Sequence, residues 1–343
     1  MGVMENNEFK KDGKRQVTMA AVGRLAGVSQ VTVSRALSHP DKVSAQTLLR
    51  INDAIKVTGF VPNALAGALA SKKSNLISAL IPSLTNIVYA TFITAFSEKL
   101  REHGYQILLS ETGFEPEAEE ALVATHLSRR PDAILLTGIH HSARARQMLL
   151  GAGIPIVEVW DITDSPVDMC VGFDHVEAGR RAAEFLFEQG NTRAATITAK
   201  DERAVRRQSA FANRFEYLSK GHVAESNTGG PASIRAGRDA LSDLIENHGL
   251  TSGAVFCSSD LLAQGALIEA QARGIPVPQG ISIMGFGDQD FARDVEPSLT
   301  TVAIDRTRLG HVTAEALLAR INGTQRPKSV TDIGFEIVRR TSA

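Results

Sequence analysis

The sequence predicts a small all-α head of helix-turn-helix type joined to an α/β core of two doubly wound parallel-sheet lobes. Three observations carry that prediction. Capped helical segments without strands fill residues 17 to about 60; from Asn75 onward near-continuous apolar strands alternate with amphipathic helices; and the strands outnumber what one compact sheet needs. A chain of 343 residues, 43% hydrophobic, can bury more than one core.

Residues 1–16 are polar and read as a disordered tail. In the head, residues 17–61, Thr18 can cap a helix over Met19 to Ala26, and Gly27 supplies a left-handed turn. Ser29 caps a second helix, Gln30 to Leu37, broken at His39-Pro40. Ser44 caps a third, running to about Thr58 and closed by Gly59. Residues 62–74 read as a hinge helix and linker. Pro62 and Asn63 can start a helix there, but a short segment containing Gly67 does not hold one in isolation. Leu65 and Leu69 either pack on the preceding helices or, flanked by Lys72 and Lys73, suit insertion into a minor groove.

In residues 75–343 the expected strands are Leu76 to Ile81, Gln106 to Ser110, Ala133 to Thr137, Ile154 to Val159, Ala194 to Thr198, Gly253 to Cys257 and Ser282 to Phe286. The expected helices are Tyr89 to His103, Pro116 to Arg129, Ala143 to Gly151, Val176 to Gln189, Val205 to Leu218, Ala232 to Asn247 and Leu261 to Arg273. Ligands of such sheets sit at the carboxyl ends of the strands. The loops there are 82–86, 111–114, 137–141, 160–164, 200–203, 258–260 and 287–290, and most are polar or charged.

A helix, a tight turn with Gly and a second helix form the arrangement that lays one helix across a phosphate backbone and the next in the major groove. On a helical wheel Val33 and Leu37 share the core-facing side. Val31, Arg35 and Ser34 lie opposite, and Gln30 projects from the first turn. Arg can pair with guanine, Gln with adenine, and Val can touch a thymine methyl. Charge supports the reading. Residues 17–73 hold seven Lys/Arg against two Asp/Glu, whereas 74–343 hold 26 against 33. A basic head on an acidic core is the layout expected when only the head approaches a polyanion.

Other classes are disfavoured. Cys170 and Cys257 lie in apolar runs without zinc spacing, and the pair His140-His141 has no third ligand. Gly285-Phe-Gly287 lacks the rest of a dinucleotide fingerprint. No catalytic constellation, metal site or cofactor is expected. There is no run of 18 apolar residues and no secretory signal, so a cytoplasmic chain without membrane contact is expected.

Several stretches together resemble the lactose-repressor and purine-repressor family of bacterial transcription regulators over about residues 17–340. They are Val17-Thr-Met-Ala-Ala-Val22 leading to Ala26-Gly-Val-Ser-Gln-Val-Thr-Val-Ser-Arg35, Val43-Ser-Ala-Gln-Thr47, Phe60-Val-Pro-Asn63, Leu69-Ala-Ser-Lys72, Val255-Phe-Cys-Ser-Ser-Asp260, Ile283-Met-Gly-Phe286 and Pro297-Ser-Leu-Thr-Thr301. The resemblance implies a homodimer on a pseudo-palindromic operator in double-stranded DNA. It implies DNA contacts by Thr18, Ser29, Gln30, Val31, Thr32, Ser34, Arg35, Asn63, Ala66, Leu69 and Lys72, with Leu69 as a minor-groove wedge. It implies a periplasmic-binding-protein-like core whose first lobe is about 75–174 and 306–332 and whose second is about 175–303 and 333–343. The implied effector contacts are Asn86, Tyr89, Asp161, Arg207, Ser259 and Asp260. Many members carry an acidic residue where Gly287 stands, so Asp288 is the candidate there, and Ile304 replaces a cleft amide of some relatives.

Within the family, Pro82-Ser-Leu-Thr-Asn86, Val171-Gly-Phe-Asp-His175, Asp201-Glu-Arg203 and Asp332-Ile-Gly-Phe335 are most similar to the gluconate-utilisation repressors. A sugar acid needs a cation for its carboxylate, and Arg207 can supply a bidentate fork. A sugar phosphate or purine effector, or a solute-binding protein, are the alternatives. With no heptad tail after Phe335, a coiled-coil tetramer is disfavoured.

Overall fold

The computed structural model describes residues 17–62, 73–113, 116–324 and 329–343. The chain divides between Ser74 and Asn75 into two compact units. The smaller holds α1 (Met19–Ala26), α2 (Gln30–Ser38) and α3 (Ala45–Thr58). Each begins on the expected cap, with the hydroxyls of Thr18, Ser29 and Ser44 accepting from Ala21 N, Thr32 N and Thr47 N. Gly27 adopts φ +67°, which lets the chain reverse between α1 and α2, and a Cβ on Gly23 would crowd the Val28 carbonyl. Val22, Ala26, Val33, Ala36, Ile51, Ala54 and Phe60 make the core.

One expectation is corrected here. Val33 is fully buried, but Leu37 stays 39% exposed and Ala36 takes the inward place. Residue 36 is almost one turn from 33, and its single methyl fits a small core where a leucine is displaced to the edge.

The larger unit contains two six-stranded sheets. The first is built from β1 (Leu76–Ile81), β2 (Gln106–Glu111), β3 (Ala133–Thr137), β4 (Ile156–Val159), β5 (Met169–Gly172) and β11 (Val330–Asp332), in the order β11-β5-β4-β3-β1-β2. The second takes β6 (Ala194–Thr198), β7 (Val223–Asn227), β8 (Gly253–Cys257), β9 (Ile281–Phe286), β10 (Thr300–Ala303) and β12 (Glu336–Val338), in the order β12-β10-β9-β8-β6-β7. All pairings are parallel except β10 with β12. Covering helices in the first lobe are α4 (Ile87–Arg101), α5 (Pro116–Ser128), α6 (Ala143–Ala152) and α11 (Arg306–Asn322). In the second they are α7 (His175–Glu188), α8 (Glu202–Ser219), α9 (Ile234–Glu246) and α10 (Asp260–Ala272). No helix among the described residues is long and apolar enough to cross a membrane.

Five strands and one helix go beyond the sequence reading: β5, β7, β10, β11, β12 and α11. Four of these strands have three or four residues, too short to show a period, and in β7 buried and exposed positions mix. In α11 the inward face includes Gly310, Thr313 and Ala314, so its apolar stripe is weak. Several helices also begin one to three residues earlier than expected. Asn86, Asp174 and Asp201 accept from the first backbone N–H groups of α4, α7 and α8 and so fix the starts.

The helices α7 and α8 cross so closely that a Cβ on Gly179 would overlap the carbonyl oxygen of Arg207. Gly179→Ala is therefore expected to destabilise the core by about 2 kcal/mol, the scale of overpacking a tight interior. An unfolding midpoint equal to wild type would contradict it.

Candidate functional site

In each sheet the strand order reverses next to its first strand, β1 in one and β6 in the other, which opens a crevice at the carboxyl ends. The two crevices face one cavity of about 250 Å³. From the first lobe come Ser83, Thr85, Asn86, Val88, Tyr89 and Trp160. From the crossing segment and second lobe come Phe173, His175, residues 199–201, Arg203, Ala204, Arg207, Ser258, Ser259, Phe286 and Gln289.

Arg207 is the centre of its polar side. It is 4% exposed, and its guanidinium lies over the Phe286 ring, 3.7 Å from the centroid. One terminal nitrogen donates to His175 Nδ1 at 2.8 Å, the other to the Ser258 carbonyl at 3.1 Å, and Nε has no partner. Among the described residues no carboxylate takes a hydrogen bond from this cation. Burial, with Arg203 and Arg206 nearby, pulls its pKa down to about 10, against the opposing pull of Asp201.

Its neighbour Arg203 is arranged otherwise. It donates to Tyr89 Oη at 2.9 Å and sits 3.5 Å from Asp201 Oδ1. Burial resists charging Asp201, but Arg203 and Arg207 outweigh it and hold the carboxyl below its ordinary value. Tyr89 in turn is held above the usual phenol value, mainly by burial.

Trp160 adopts φ +70°, a sparsely populated conformation held by an aromatic nest. Its ring meets Tyr89 and Phe92 edge-on at 5.6 and 5.8 Å, and its indole N–H has no acceptor among the described residues.

The first turn of α8 also ties the lobes together. Arg206 bonds Asp161 and Glu202, and His140 stands 3.4 Å from Glu202.

Of the seven effector contacts expected, Asn86, Tyr89, Arg207 and Ser259 line the cavity. Asn86 and Ser259 use a side-chain oxygen to cap α4 and α10. The other three need correction, because each carboxylate is engaged elsewhere. Asp161 is buried against Arg206 and the Ile162 N–H. Asp260 is fully buried, accepting from Thr301 Oγ1 and Gln289 N at 2.6 Å, and Asp288 pairs with Arg340 at 2.7 Å. The reading of the residues did not single out Arg203, His175 or Trp160. The first two lie inside stretches quoted for the resemblance, and Trp160 is the only tryptophan of the chain.

On the head, Gln30, Val31, Ser34 and Arg35 are exposed on one side of α2, with Val31 66% exposed. Arg24, Arg35, Lys42, Arg50 and Lys56 form no ion pair among the described residues, which leaves a positive surface. Thr18 and Ser29 act as caps, and Ser29 Oγ also bonds Thr32 Oγ1 at 2.9 Å. Asn63, Ala66, Leu69 and Lys72 lie outside the described residues.

Comparison with known proteins agrees with this two-part layout. Residues 18–63 match bacterial regulatory proteins of the lacI family, and residues 183–343 match a periplasmic binding protein-like domain. The HTH-type transcriptional regulator GntR of Pseudomonas aeruginosa is 34% identical over 344 residues, covering 100% of both chains. A crystal structure of a LacI-family transcriptional regulator from Silicibacter pomeroyi superposes with a TM-score of 0.89 at 30% identity, over 95% of this chain and 99% of that one. That of the transcription regulator GntR from Chromobacterium violaceum gives 0.73 at 32% identity, over 78% and 98%.

Proposed function

The chain belongs to the lacI family of bacterial regulatory proteins, and on that premise we propose how it works. It is a DNA-binding regulator of transcription, not an enzyme. As a homodimeric repressor in the cytoplasm, it reads a pseudo-palindromic operator with α2 of each head. A sugar acid of the gluconate type enters the interlobe cavity and releases it. The observation that carries the effector class is Arg207, a buried cation whose hydrogen-bond acceptors are neutral. A buried charge of this kind calls for an anionic partner, and a carboxylate matches the fork of a guanidinium. Asn86, Tyr89 and Ser259 edge the same cavity and suit hydroxyl groups.

Effector binding controls DNA only to the extent that it favours one lobe arrangement over another. The lobe-to-lobe contacts of α8 with Tyr89 and Asp161 are where that preference would act. An operator titration with and without gluconate tests the reading; unchanged operator affinity at saturating gluconate would rule out this ligand.

For the head, Arg35→Ala is expected to cost about 1 to 3 kcal/mol of operator binding and to relax specificity at one base pair. Competition gel shifts with single-base operator variants measure it. Equal losses on operator and random DNA would assign Arg35 to the phosphates instead.

A further inference from the structure

The two nitrogens of His175 have partners of fixed character. Nε2 lies 2.8 Å from the carbonyl oxygen of Trp160, which can only accept, so Nε2 carries the proton. Nδ1 lies 2.8 Å from a terminal nitrogen of Arg207, which can only donate, so Nδ1 keeps its lone pair. Flipping the ring would set carbon atoms against both partners and lose both bonds. The ring is 3% exposed residue-wide and is packed at 4.4 Å from the centroid of Phe173. His175 is thereby held neutral, and burial together with Arg207 pushes its pKa well below the ordinary imidazole value.

Nearby arginines are treated differently. Arg203, Arg206, Arg306 and Arg340 each face a carboxylate, from Asp201, Asp161 with Glu202, Asp290 and Asp288 respectively. Arg207 donates its hydrogen bonds to an imidazole lone pair and a peptide carbonyl, while Asp201, paired with Arg203, acts on it only through space. These neutral acceptors fix the plane of the guanidinium over Phe286 without cancelling its charge.

We propose that His175 sets the charge preference of the cavity: as a neutral acceptor it positions Arg207 and reserves that cation for an acid group on the ligand. A carboxylate in the same place would supply the counter-charge internally and favour an uncharged polyol. The inference rests on the anionic-effector reading above, and the test separates the two.

Asn and Asp have nearly the same shape, and an oxygen of either can stand near the His175 Nδ1 position. They differ in charge. Binding of D-gluconate and of glucitol, the same six-carbon polyol without the carboxylate, is followed in the full-length protein by the fluorescence of Trp160. Wild type is expected to prefer gluconate, and His175→Asn to keep that preference within about threefold. His175→Asp is expected to weaken gluconate by about tenfold or more relative to His175→Asn, with glucitol nearly unchanged, because charge-assisted pairing with Arg207 is what it removes. Equal gluconate-to-glucitol ratios in the Asn and Asp variants overturn the proposal. A wild-type protein without preference for gluconate overturns the anionic reading first, and the inference with it.

A measurement on unmutated protein guards against variants that fail to fold. In histidine-labelled wild type near pH 7, long-range nitrogen correlations are expected to show His175 as the neutral Nε2–H tautomer. An imidazolium, or the Nδ1–H form, overturns the proposal.

Discussion

On the proposed reading, Arg207→Ala is expected to abolish the response to gluconate at concentrations that saturate wild type. Removing one member of a desolvated charge pair weakens binding by about 2 to 5 kcal/mol, or about thirty-fold to a few thousand-fold. Arg207 is in this position because it is buried, stacked on Phe286 and supplied only with neutral acceptors. Its loss also strands the lone pair of His175 Nδ1, so the cavity keeps no compensating cation at that point. Arg207→Lys restores the charge but not the planar fork or the stacking, and falls between the two. Fluorescence titration of Trp160 measures binding directly, and a gel shift with gluconate measures the response. An alanine variant with a wild-type midpoint would remove Arg207 from the effector site.

Stability of the core is expected to fall as pH rises from about 6.5 to 9, because of His141. Its side chain is 1% exposed, between Glu119 Oε1 at 2.6 Å and Glu158 Oε1 at 3.2 Å. Burial works against its charge, but the two carboxylates outweigh that and raise its pKa to about 9. The folded value lies above the unfolded one, so folding takes up a proton. The stabilisation is complete below the unfolded value near 6.5 and is lost as pH climbs through 9. Across that window the loss is about 3 kcal/mol. His141→Gln is expected to be less stable near pH 6.5 and much less sensitive to pH. Denaturation at pH 6.5 and 9 decides it, and identical pH slopes in the two proteins would refute the assignment. The adjoining His140 stands 3.4 Å from Glu202 of the second lobe.

Much of the fold is legible without coordinates, and the physical reason is local. The strands Leu76–Ile81, Ala133–Thr137, Ala194–Thr198 and Gly253–Cys257 are near-continuous runs of apolar and small residues because parallel strands covered on both faces have no solvent side. Caps at Thr18, Ser29 and Ser44 announce three helices because a side-chain oxygen three residues away satisfies an otherwise orphaned N–H. Edge strands resist such reading. In Val223–Asn227 exposed and buried positions mix, and Val330–Asp332 and Glu336–Val338 are three residues each. The cavity lining was legible where a motif marks it, as at Asn86, Tyr89, Arg207 and Ser259. It was not legible at Asp161, Asp260 and Asp288, because a carboxylate near a strand end looks the same whether it faces a ligand or an internal partner.

The sequence by itself determined a basic, capped helical head on an acidic two-lobed α/β core, and with it the family. Those properties follow from charge, spacing and local hydrogen bonding, which neighbouring residues settle among themselves. The tertiary structure alone decided which charges near the cavity are cancelled. Asp161 meets Arg206 across 45 residues, Asp288 meets Arg340 across 52, and Arg207 meets His175 across 32. A net charge inside a cavity is a sum over groups brought together from distant segments. No local pattern records which cation is left for the ligand.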